Sequence, residues 1–196
     1  ILLCESDGTV EEVAEEIRRI DEIMNQSGAT EIRTSRDEAE RLRFWAGRKA
    51  AFPAAGRISP DYYCMDGTIP RKSLANVLCG IEELSAEYGL RCMNVFHAGD
   101  GNLHPLILYD ANQPGELKMT EEFGAKILQM CIQAGGTITG EHGVGIEKIN
   151  EMCSQFKAGE LETFHAVHAA LHHTCLLTSW KARPPLARCG GPDAIA

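Results

Sequence analysis

No apolar run in this sequence approaches the roughly 18 residues that a membrane-spanning helix needs, and no basic start precedes a hydrophobic stretch at the N-terminus. Neither a span nor a secretory signal is expected, and the chain reads as soluble and cytoplasmic. The eight cysteines, at 4, 64, 79, 92, 131, 153, 175 and 189, include no C-x-x-C pair. They sit mostly within apolar patterns, as buried reduced thiols do, which fits a cytosolic chain without an iron–sulfur cluster of its own. Positive charge is short: 19 Lys and Arg against 28 Asp and Glu give −9. With no basic cluster, a nucleic-acid partner is not expected. No G-x-G-x-x-G opens a helix after a strand, and in "GEHGVG" the residues Glu141 and His142 disqualify a phosphate cradle. Repeats, linkers and low-complexity blocks are absent as well. So is an initiator methionine: the chain opens "ILLCESDG", as if inside a strand, and is expected to be part of a longer protein.

What is present suits one globular domain over 1–183 with a loose tail at 184–196. The 196 residues are 44% apolar, enough for a core without staples. Thr9-x-x-Glu12 is a capping box, followed by Val10, Val13, Ile17, Ile20 and Met24 at helical spacing and Gly28 as a stop. Residues 30–34 read as a strand, and Ser35-x-x-Glu38 caps a helix to about Ala50. A strand follows around Tyr62 to Asp66. Leu74, Val77, Leu78, Ile81, Leu84 and Tyr88 then make one helix face ending at Gly89. Further helices are expected at roughly 115–134 and from the loop after "GGTITG" to about Leu177. The order strand–helix–strand repeats around one tight hairpin. The expected fold is α+β, an antiparallel sheet with helices on one face in a ferredoxin-like arrangement.

That hairpin is "NVFHAGDGNLHPLILYD", residues 94–110. Asp-Gly between apolar runs predicts a turn at Asp100-Gly101, which sets His97 directly opposite His104. Directly paired residues have Cβ atoms roughly 4.5–5.5 Å apart, so both rings reach one ion. A metal site needs a third ligand, and "GGTITGEHGVGIEK", residues 135–148, offers Glu141. Adjacent side chains share a pocket only where the backbone bends, which the flanking Gly140 and Gly143 permit. His97, His104 and Glu141 then form a two-histidine, one-carboxylate set typical of catalytic metal sites, leaving His142 as a base. Zn²⁺, Mn²⁺ and Fe²⁺ all accept such ligands.

The segments "FHAGDGNLHP", "GGTITGEHGVGIEKIN" and "GRISPDYYCMDGTIPR" together resemble the C-terminal cap domain of the FAD-linked 2-hydroxy-acid oxidoreductases. That family includes enzymes of the glycolate oxidase, D-lactate and D-2-hydroxyglutarate dehydrogenase types. The resemblance covers nearly the whole chain. It implies that His97, His104 and Glu141 hold a divalent metal ion, that His142 is the base and that Arg48 of "WAGRK" clamps the substrate carboxylate. Asn102 and Lys148 match positions near the substrate. It also implies FAD held mainly by an N-terminal domain absent from this chain, and oxidation of glycolate to glyoxylate or of D-lactate to pyruvate. Implied partners are that N-terminal domain and other oxidase subunits, including an iron–sulfur subunit, with peripheral attachment at the inner membrane through them. The isolated chain should be inactive and, with the face toward the missing domain bare, prone to form a homodimer.

Two other function classes use the same residues. A metal-dependent hydrolase would activate water at the same ligands without a flavin, and a non-catalytic domain would only pack against partner subunits. The segment Leu171 to Lys181 makes the second of these conceivable. There the family pattern Phe-Asp-Pro, two residues, then Leu-Leu-Asn-Pro-Gly-Lys is replaced at equal length, and Trp180 has no family counterpart. His165, His168 and His172 fall at helical spacing, but no carboxylate or cysteine completes a metal set, and an ordinary helix face is expected.

Overall fold

Thr9 starts the first helix, α1 (Val10–Gln26), as its spacing predicts: its hydroxyl accepts from the Glu12 N–H, and the Glu12 carboxylate accepts from the Thr9 N–H at 2.9 Å. The computed structural model describes residues 1–171 and Pro184. The altered C-terminal segment from His172 and, Pro184 apart, the tail lie outside them. The chain divides into two units, residues 1–52 and residues 53 onward.

In the first unit, α2 (Glu38–Lys49) is capped by Asp37 rather than Ser35. The Asp37 carboxylate accepts from the Glu40 N–H at 2.8 Å, which suits the positive end of a helix. The strands expected at the opening and at 30–34 are not formed. A strand exists only through a ladder partner, and residues 1–52 contain no strand to supply one. A short helix, α3 (Ala51–Ala55), crosses the boundary between the units.

The second unit has the expected α+β fold. Strand β1 (Asp61–Cys64) and β2 (Gly67–Thr68) are followed by α4 (Leu74–Tyr88), which Gly89 ends in the left-handed conformation. The hairpin supplies β3 (Cys92–Asn94), β4 (Asn102–Leu103) and β5 (Pro105–Tyr109), and then come α5 (Glu116–Gln133), α6 (Ile149–Gln155) and α7 (Ala158–Leu171). β5 lies between β1 and β3, both antiparallel to it, and β2 pairs with β4. The two pairings share one register: Cys64 faces Leu106 and Gly67 faces Leu103. β1–β2 and β4–β5 are therefore two long strands, each interrupted once, and the interruptions put Asp66 opposite His104. Thr137 adds a bridge to Thr68 at the free edge, completing the ferredoxin-like strand order.

One face of the sheet carries Leu103 and Ile107, packed under Val77 and Ile81 of α4 and Phe123, Ile127 and Cys131 of α5. Met65 and Leu128 join Ile138, Met152 and Leu161 in a second cluster that seats α6 and α7. Side chains alternate along a strand, so with Met65 committed to the core Asp66 must take the other face. Among the described cysteines, 4, 64, 79, 92 and 131 are free thiols, but of these only Cys131 is buried while Cys4 and Cys79 are exposed, and Cys153 is disulfide-bonded. Spacing without C-x-x-C does not preclude pairing between distant cysteines.

The hairpin departs from its predicted register. His97 pairs with Asn102 through both backbone hydrogen bonds, at 3.0 and 3.3 Å, and Val95 donates to the His104 carbonyl. The loop is Ala98–Gly101, so His97 and His104 are diagonal rather than direct neighbours. A slip of two residues preserves the face, and the rings still meet edge to face at 5.5 Å. Two overlapping turns, Asp100 N–H to the His97 carbonyl and Gly101 N–H to the Ala98 carbonyl, displace the two-residue turn. Gly101 makes this loop possible: its φ is +72°, and a Cβ there would sit 2.1 Å from the Ile69 carbonyl oxygen. Gly101→Ala should therefore cost at least about 1–3 kcal/mol, whereas Gly47→Ala, inside α2 with open space around it, should be neutral or stabilising by up to about 1 kcal/mol. Urea unfolding of the two variants measures the contrast.

Candidate metal centre

The buried carboxylate of Asp66, fully excluded from solvent, organises the loop that follows Thr137. Its Oδ2 accepts from the Thr139 hydroxyl at 2.8 Å and from the N–H groups of Gly140, Glu141 and His142 at 3.0, 3.1 and 2.8 Å. Three successive amides aimed at one anion turn the chain sharply, which is how Glu141 and His142 come to serve one site. The glycines take part as expected. A Cβ on Gly140 would lie 2.4 Å from Asn102 Oδ1 and 2.5 Å from Thr68 Oγ1, and Gly143 sits at φ +85°. Burial alone would raise the pKa of Asp66, but the donors at His142, Thr139 and Gly140, with the Lys148 cation, bring it down to about 2.

Lys148 is itself buried. Its ammonium donates to the Asp66 carbonyl at 3.1 Å and stands 3.6 Å from Asp66 Oδ2. Burial lowers its pKa, and the adjacent Asp66 charge opposes that shift. Asn102 is buried beneath Gly140 and accepts from the Thr68 hydroxyl at 3.3 Å.

His104 stands between two carboxylates. Its Nε2 is 2.7 Å from Glu141 Oε1, and its Nδ1 is 3.8 Å from Asp66 Oδ1. Burial holds its pKa down, partly offset by Glu141, so the ring tends to neutrality and can act as a ligand. Glu141 Oε1 is also 3.8 Å from His97 Nε2 and 4.0 Å from His142 Nε2. The His142 ring stacks on that of His104, centroids 4.8 Å apart and planes within 5°. Donor atoms of His97, His104 and Glu141 all lie within 4.8 Å of one another. His97 and Glu141 are half exposed while His104 is nearly inaccessible, and the three offer the nitrogen and oxygen donors that a divalent ion takes. The chemistry also fits: two imidazoles and a carboxylate are a common ligand set for divalent ions, and Asp66, 3.8 Å from His104 Nδ1, adds a negative charge beside them. Beside His142 a cavity of about 250 Å³ is lined by Cys64, by residues 143–147 and by Lys148.

Arg48 lies in the last turn of α2, in the first unit. The residues that sequence reading missed are Asp66 and Thr139. The available signal was a charged residue at the end of the strand expected in "YYCMDGT", but the donors it meets come from a segment more than 70 residues away.

Asp66→Asn removes the charge and turns an amide NH₂ toward backbone donors, so the variant should be markedly less stable. An Asp with a depressed folded pKa stabilises fully above its unfolded value, near 4, and loses that contribution as pH falls toward about 2. The shift corresponds to on the order of 2 kcal/mol. Urea unfolding should show the gap between wild type and Asp66→Asn narrowing from pH 5 to pH 3.

Residues 1–172 match the family model described as FAD linked oxidases, C-terminal domain. Over 189 residues the chain is 61% identical to the glycolate oxidase subunit GlcD of Escherichia coli K12, covering 96% of this chain and 38% of that protein. GlcD of Bacillus subtilis is 33% identical over 181 residues, 92% of this chain and 38% of that protein. A mitochondrial D-lactate dehydrogenase [cytochrome] of Kluyveromyces lactis is 33% identical over 148 residues, 72% and 25% of the two chains. The chain thus spans about 38% of the length of the two GlcD relatives. Among the described residues no helix is long and apolar enough to cross a membrane. With its ferredoxin-like sheet and a histidine–carboxylate cluster on the face away from α4 and α5, the chain belongs to the C-terminal domain family of the FAD-linked oxidases.

Proposed function

We propose that this chain is the metal-and-substrate domain of an FAD-dependent 2-hydroxy-acid dehydrogenase that oxidises glycolate, with D-lactate as the neighbouring substrate. The observation that carries the reading is the convergence of His97, His104 and His142 on the Glu141 carboxylate, within 4.0 Å. His97, His104 and Glu141 would hold a divalent ion, Zn²⁺, Mn²⁺ or Fe²⁺, whose charge lowers the pKa of a hydroxyl beside it. FAD, held mainly by an N-terminal domain, supplies the electron acceptor.

The remaining work falls to this chain's own side chains. His142, half exposed beside the ligands, takes the hydroxyl proton at Nε2, a role that suits an imidazole near neutral pH. Arg48 grips the substrate carboxylate through two parallel hydrogen bonds. Asn102 and Lys148 support the substrate end, Lys148 from the wall of the cavity it shares with His142. Asp66 keeps the base in place by holding its backbone. The choice between glycolate and D-lactate turns on a methyl group, worth about 1–3 kcal/mol. The partners of the longer protein are further oxidase subunits, including an iron–sulfur subunit, and its place is the cytoplasmic side of the inner membrane through them. Identity to a protein named as a glycolate oxidase subunit supports this, and favours it over a hydrolase using the same ligands.

In the full-length protein, His142→Ala should lower turnover of glycolate by about 10²–10⁴-fold while metal content, measured by elemental analysis, and the flavin spectrum stay unchanged. His97→Ala and His104→Ala should lose metal and turnover together. Undiminished turnover in His142→Ala would remove it as the base. Arg48→Lys keeps the charge but not the planar fork, and should raise KM for the acid by about 10–100-fold, the value of one or two charged hydrogen bonds. An unchanged KM would dismiss Arg48 as the clamp.

A further inference from the structure

His104 belongs to a second group of donors. The Cys64 thiol, a ring nitrogen of His104 and a ring nitrogen of His142 lie within 4.8 Å of one another. Strand geometry brings Cys64 there. It lies two residues before Asp66 on the same face of the sheet and is paired with Leu106, which makes it the diagonal neighbour of His104. Cys64 and His142 also line one cavity, so an ion has a path to them. The parallel stack of His104 and His142 holds the two imidazoles side by side. This set replaces the hard Glu141 oxygen with a soft sulfur. Thiolate with imidazole favours Cd²⁺, Zn²⁺ or Cu(I), whereas carboxylate with imidazole also takes harder ions such as Mn²⁺.

We propose that Cys64, His104 and His142 form a second metal site, selective for thiophilic ions and mutually exclusive with the set that contains Glu141. As the metal–sulfur bond forms, the thiol proton passes to solvent, and no oxidation or reduction takes place. Because His104 can belong to only one set at a time, a Cd²⁺ ion at Cys64 withdraws it from His97 and Glu141 and occupies His142 as well. The binding rests on geometry alone. Its consequence, inhibition by thiophilic metals, rests on the proposed function of His104 as a metal ligand and of His142 as the base.

The test is ¹¹³Cd NMR of the full-length protein loaded with ¹¹³Cd²⁺. The expected spectrum contains a resonance in the range of mixed thiolate and imidazole ligation that is retained in Glu141→Ala and lost in both Cys64→Ser and Cys64→Ala. His142→Ala should lose or shift it. Far-UV circular dichroism establishes that each variant is folded, and Cys64→Ser, nearly isosteric, is the variant least able to disturb the strand. Relative to its own uninhibited rate, Cys64→Ser should need at least about 10-fold more Cd²⁺ for half-inhibition, the scale of affinity lost when a metal site loses a partner. Absence of such a resonance in the wild type overturns the proposal, as does its persistence in both Cys64 variants or its loss in Glu141→Ala. Resonances as expected with equal Cd²⁺ sensitivity in wild type and Cys64→Ser would leave the Cys64 metal site standing and sink the proposed catalytic roles of His104 and His142 instead.

Discussion

One buried charge holds this site together. Asp66 sits at the break between β1 and β2, opposite His104 at the break between β4 and β5, and its carboxylate gathers the Thr139 hydroxyl and three successive backbone amides. A buried carboxylate without such donors would cost several kcal/mol or take up a proton. Here the loop from Thr139 to His142 satisfies it, and satisfying it gives the loop its shape. The dependence is mutual, because the loop's amides, turned away from any ladder, take Asp66 as their acceptor. Lys148 closes the arrangement from α6's N-terminal side, balancing the Asp66 charge.

The rest of the site hangs on that anchor through the sheet. The two interrupted strands share a register, so the interruptions meet, and at the meeting point hydrogen-bonding capacity goes to side chains. The helices α4 and α5 bury the opposite face, leaving the face with Cys64, Asp66, Thr68, Asn102 and His104 for chemistry. His104 is nearly inaccessible while His97, Glu141 and His142 are half exposed. One of these side chains is thus fixed by the fold, and the others stand where they can move.

Where the sequence pattern was strong and local, structure followed it. The capping box at Thr9, the end of α4 at Gly89 and the span of α5 all rest on interactions within a few residues, and these form wherever the chain lies. One Asp-Gly pair misled, and the role of another went unread. Asp100-Gly101 is a turn, but of a four-residue loop, because the Ile69 backbone packs against Gly101 and selects a geometry that sequence does not encode. Asp66-Gly67 is no turn at all: Gly67 lies where a Cβ would meet the Cys131 thiol 2.6 Å away, and Asp66 is the anchor of the site. The expected strands at the opening and at 30–34 failed for a related reason, since a strand depends on a partner that local pattern cannot supply.

By itself the sequence determined the α+β class, the helices and the membership of His97, His104, Glu141 and His142 in one chemical group, because residue type and spacing restrict what such segments can do. It also carried the face on which the two hairpin histidines point, since a period of two survives a slip of two residues. Only the tertiary structure decided that Asp66 shapes the loop, that His104 lies diagonal to His97 and against Glu141, and that Cys64 joins the histidines. Apart from the hairpin register, those facts arise where segments separated by about 40 to 75 residues meet, and no local preference records which buried donor an anion will find.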